Sequence, residues 1–177
     1  MRGNMILILL VMTTLTCGQD IYNPGKDKEQ KETYDDLIRF HASIVPKVDD
    51  WEVAVNREHA LFAALESASK NEDILEISSL MDQIKIDDSI LNKYVAEIGP
   101  LLENLRANTL TRFREDLLDF ETAKQLTEWA NKMLDKIENA ENNKDEKAIR
   151  YKAQQLLQEH RQMQQKYLSP PPPLLIA

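Results

Sequence analysis

The chain has 177 residues, 42% of them hydrophobic, a size that suits one domain with a core of its own. Its formal charge of −8 argues against a nucleic-acid partner, which would need a cationic face, and against general adhesion to anionic headgroups. A single cysteine, Cys17, excludes an internal disulfide, so packing alone must hold the fold. Four glycines are too few for a phosphate cradle, and Glu, Lys, Leu, Ala and Gln dominate the middle of the chain. These are helix formers. With no run of alternating β-branched residues, the composition predicts an all-α fold.

The first element is a leader. Arg2 supplies a thin positive start, Met5 to Met12 is continuously apolar, and Thr13 to Gly18 turns small and polar. About twenty apolar residues are needed to cross a bilayer as a helix, and this run falls short of that. A removable export signal fits its length. The residues Leu15-Thr16-Cys17-Gly18 resemble the lipobox of a bacterial lipoprotein signal, in the relaxed form found in spirochaetes. That resemblance covers the first 18 residues only. It implies a signal over 1–17, lipidation of Cys17, and attachment to the cell membrane or outer membrane through that lipid. Cleavage after Gly18, with Thr16 and Gly18 at the recognition positions, is the competing reading and would leave a soluble secreted chain. Residues 18–30 are polar and carry Pro24-Gly25, which predicts a flexible tether.

A helical domain is expected over 31–168. Its first stripe is Leu37, His41, Ile44, Val48, Trp51, Val55, Glu58, Phe62 and Leu65, at alternating steps of four and three. Pro46 should kink or break that helix. The second stripe runs from Ile74 through Ile77, Met81, Ile84, Asp88, Leu91, Val95, Ile98 and Leu102 to Leu105, with Gly99-Pro100 expected to bend it. A third helix is expected from about Leu110 to Ala140. There the stripe slips at Phe120 to Ala123, a step of three where four is due. The fourth covers about Lys144 to Tyr167. Short polar connections, "SASKNED" and "ENAENNKDE", predict antiparallel neighbours. The expected architecture is therefore an elongated antiparallel bundle of four helices, with a three-helix bundle plus an extra arm as the alternative. The two turns match at an offset of 72 residues (Ala68/Ala140, Asn71/Asn143, Asp73/Asp145), which raises the idea of a duplicated hairpin. After the bundle, 169–177 is a proline-rich tail in which Pro170 to Pro173 favours polyproline II.

Motifs for a serine nucleophile, a nucleotide or a helical metal site are missing from the sequence. An up-down-up-down bundle would bring His41 and His160 to one end, where they could bind a metal or a small ligand. Glu52, His59 and Glu66 recur at intervals of seven, as a ligand row or a solvated stripe. Glu58 and Asp88 interrupt the apolar stripes. A buried carboxylate needs a partner or an elevated pKa, so this pair serves catalysis or helix register, or lies where a bend exposes it. Trp51 and Trp129 read as core aromatics first, and as partner-binding anchors if exposed. The expectation is a non-enzymatic protein without a cofactor, acting at the cell envelope on a protein partner.

Overall fold

The computed structural model describes residues 24–168, and all its elements are helices: α1 (Pro24–Lys70), α2 (Ile74–Arg114), α3 (Phe120–Glu141) and α4 (Lys144–Leu168). The leader, Cys17 and the proline-rich tail lie outside the described residues. None of the described helices is long and apolar enough to cross a membrane. At 1.5 Å per residue, the 47 residues of α1 make a rod about 70 Å long.

Pro24 opens α1, where its missing N–H costs nothing. Residues 24–30, expected as tether, are thus the first turns of a helix. Neither internal proline breaks its helix: α1 runs through Pro46 and α2 through Pro100. Each proline leaves one carbonyl unpaired four residues earlier. Pro46 and Pro100 are exposed, and so are Ala42 and Ala96 at those earlier positions, so water can satisfy both carbonyls.

The helix ends decide the topology. Glu72 (φ 55°) follows α1 and Asp116 (φ 58°) follows α2, both in the left-handed region. After α1, the amides of Asn71 and Asp73 donate back to the carbonyls of Ser67 and Ala68, and the chain reverses. Asp73 then caps α2 by accepting from the Glu76 amide at 3.0 Å, and Asp119 caps α3 by accepting from Thr122 at 2.9 Å. The slip at Phe120 to Ala123 is this break: α2 extends to Arg114, past the expected start of the third helix, and α3 begins at Phe120.

The third junction behaves differently. Asn142 has φ −103°, with no left-handed residue beside it, and the Asn143 side chain caps α4 by accepting from the amides of Asp145 and Glu146. The chain does not turn back here. Glu52 pairs with Lys136 on α3, 84 residues on, and His59 with Glu146 on α4, 87 residues on. A nearly constant offset means that α3 and α4 both run parallel to α1. The expected antiparallel packing of the last two helices is not formed, and α3 and α4 make no packing contact with each other. They lie end to end as a third rod beside the α1–α2 hairpin. The duplicated-hairpin idea fails for the same reason: one of the matched turns reverses the chain and the other does not.

The interior is correspondingly divided. One core joins α1, α2 and α3 through residues such as Ile44, Trp51, Ile98, Leu102, Leu126 and Met133. The other joins α1, α2 and α4 through Phe62, Leu65, Ile77, Met81, Ile84 and Ala153. Between them lies a charged layer.

Candidate functional site

The charged layer is built from all three rods. Glu58 takes an apolar position of the α1 stripe and is 9% exposed. Asp88 takes an apolar position of the α2 stripe and is partly exposed. Glu146 and Arg150 stand one turn apart on α4, on the face that also carries Ala153. The break at Asn142–Asn143 places Glu146 in the first turn of α4, near the positive end of the helix dipole.

Arg150 grips Asp88 with two hydrogen bonds, donating from Nη1 at 2.7 Å and from Nη2 at 2.9 Å. The same guanidinium lies over the Phe62 ring, 5.2 Å from its centroid. His59 Nε2 lies 3.2 Å from the Glu146 carboxylate. Just outside the layer, Arg57 donates from Nε to the buried Asp87 at 2.7 Å, joining α1 to α2 once more.

These contacts set the protonation states. The hydrogen bonds from Arg150 hold the Asp88 carboxyl below its ordinary value, and Asp88 in turn raises Arg150. Burial pushes Glu58 up to about 7, helped by a hydrogen bond shared with Asp88 and by repulsion from Glu146 and Asp88. Burial also raises Glu146, against the attraction of His59 and Arg150. Three carboxyls therefore surround one guanidinium and one imidazole, and of the three Glu58 is the carboxyl pushed up to about 7. The layer borders a cleft of about 340 Å³ lined by Glu58, Asp88, Asn92, Glu141, Lys147 and Arg150, among others. A second cleft, about 400 Å³, opens between α1 and α3 beside Trp51, Asn56, His59 and Lys136. Both touch Ala140 and Asn143, at the break in the third rod. Chemically, the layer can clamp three helices and exchange a proton near neutral pH.

The other expected positions are dispersed. His41 packs edge-on against Trp129, with ring centroids 4.4 Å apart and planes at 81°, and burial lowers its pKa. His160 shares a hydrogen bond with Gln164 at 2.9 Å near the far end of α4. Because α4 continues the direction of α3, the two histidines stand on the order of 40 Å apart along the rods. The proposed His41–His160 metal or ligand site is therefore not assembled. Among the described residues, no group of three His, Cys, Asp or Glu side chains could hold a metal. Glu52, His59 and Glu66 turn to separate partners, Lys136, Glu146 and Lys70. Trp51 is 3% exposed and belongs to the core, which removes it as a binding anchor, whereas Trp129 is half-buried.

Sequence reasoning singled out Glu58 and Asp88 and missed their α4 partners. A signal for them existed. Two carboxylates on apolar stripes require a cation, and Arg150 lies next to Ile149 on the apolar side of α4. No protein-family model, curated protein or solved structure matches the chain.

Proposed function

We propose that this is an exported, lipid-anchored, non-enzymatic helical protein that holds an elongated helical domain at the cell envelope and acts by binding another protein. The observation that carries the reading is the distance between Cys17 and Pro24. The lipobox-like Leu15-Thr16-Cys17-Gly18 stands only seven residues before the start of α1. Seven residues reach at most about 25 Å. A lipid on Cys17 would hold the start of α1 close to the bilayer, and the α1–α2 turn would then be the end free to stand away from it. Two or more acyl chains on one residue give a stable anchor.

The exposed faces of such a domain would carry the binding. Trp129, half-buried beside His41, and the exposed Phe120 are the aromatics that α3 offers, and the acidic surface suits a partner with a basic patch. Intact mass of the mature protein from its own cells tests the anchor. A chain beginning at an acylated Cys17 is expected, and a chain beginning at Gln19 or at Met1 would overturn it. Crosslinking in intact cells should then recover a protein partner, with the yield reduced by Trp129→Ala.

A further inference from the structure

We propose that α4 is an arm hinged at Asn142–Asn143, latched onto the α1–α2 hairpin while Glu58 holds a proton and released when that proton leaves. The geometry supplies the arm. Nothing packs α4 against α3, and the junction between them is one capped step of chain. Of the α4 side chains only Ala153 is fully buried, while Ile149, Leu156 and Leu157 are partly covered by the second core. The remaining hold on α4 is the charged layer, through Arg150 with Asp88 and His59 with Glu146.

The groups facing Glu58 determine the sign. Asp88 faces it from α2, and Glu146 and Arg150 face it from α4. Lys147 of α4 and Glu141 at the end of α3 line the same cleft, and His59 adjoins on α1. With Glu58 protonated, Asp88 is matched by Arg150, and Glu146 has His59 beside it. With Glu58 ionised, three carboxylates confront the one Arg150 guanidinium in a partly dry layer. Lifting α4 away hydrates Glu58 and separates it from Glu146, and so favours the ionised form. By linkage, ionisation favours lifting. Because α4 supplies only part of the burial, the latched-to-released ratio should fall on the order of tenfold between pH 5.5 and pH 8. The first core contains no α4 residue, so α1, α2 and α3 stay packed.

Hydrogen exchange of the full chain, followed by mass spectrometry and expressed as protection factors, tests this. Protection factors remove the intrinsic pH dependence of exchange. Peptides over Ile149–Leu157 should lose about tenfold in protection between pH 5.5 and pH 8. Peptides over Ile98–Leu105 should not change. Glu58→Gln, an uncharged isostere, should keep α4 protected at both pH values. Arg150→Met should leave α4 unprotected at both while Ile98–Leu105 stays protected. Equal α4 protection at the two pH values in the wild type would overturn the proposal. So would a parallel loss at Ile98–Leu105, or a Glu58→Gln chain that keeps the wild-type slope.

Discussion

The two ends of the third rod are held by different physics. α3 buries Ala123, Leu126, Ala130, Met133 and Ile137 at steps of three and four, a continuous apolar stripe against α1 and α2. Hydrophobic burial there involves no titrating group and is insensitive to pH. α4 fully buries one residue, Ala153, and depends on ion pairs whose carboxyls are partly dehydrated. Such pairs are costly to break once formed, yet add little net stability over a well-packed apolar contact. The same hairpin thus carries one firmly seated helix and one conditionally seated helix. The difference follows from Glu58 and Asp88 standing where their stripes should be apolar.

The largest expected effect sharpens that contrast. Leu102, fully buried in the first core, should cost about 3 kcal/mol when changed to Ala, whereas the partly covered Leu156 of α4 should cost about 1 kcal/mol. Chemical denaturation read by circular dichroism measures both, and equal costs would mean that the two ends are equally packed. Next, Arg150→Met leaves Asp88 and Glu146 without their cation. At a site about a third exposed, a loss of about 2 kcal/mol is expected, confined to α4 in exchange measurements. An equal loss of protection throughout the chain would instead make the layer part of one cooperative core.

A smaller effect concerns pH. The fold raises Glu58 from 4.5 to about 7, so it favours the protonated carboxyl. That contribution is fully present below about pH 4.5 and is lost as pH rises through about 7. Glu58→Gln mimics the protonated form. It should therefore match the wild type at pH 4 and exceed it at pH 8, by on the order of 1 kcal/mol once screening by water in the open cleft is allowed for. A melting-temperature gain of about 3 °C at pH 8 is the readout, and a gain that persists at pH 4 would point to packing instead of charge. The smallest effect separates the reversing turns from the straight junction. Glu72 (φ 55°) should gain about 0.5 kcal/mol on substitution by Gly, which adopts that backbone freely. Asn142 (φ −103°) should lose stability with the same change.

The sequence by itself determined the helical class, the faces that pack, and the exceptional standing of Glu58 and Asp88. The reason is that 3.6-residue periodicity is local: a stripe exists in the chain before anything packs on it. The break near residue 119 was legible too, as a slipped step, although a slip in a stripe does not distinguish an overwound helix from an interrupted one. Only the tertiary structure decided that α4 continues α3 and does not fold back on it. That depends on one backbone angle at each junction, positive at Glu72 and Asp116 and negative at Asn142, in polar segments of similar composition. From that angle follow the separation of His41 from His160 and the meeting of Arg150 with Asp88. Periodicity tells each helix which side to bury, and the turns determine which other helix it meets there.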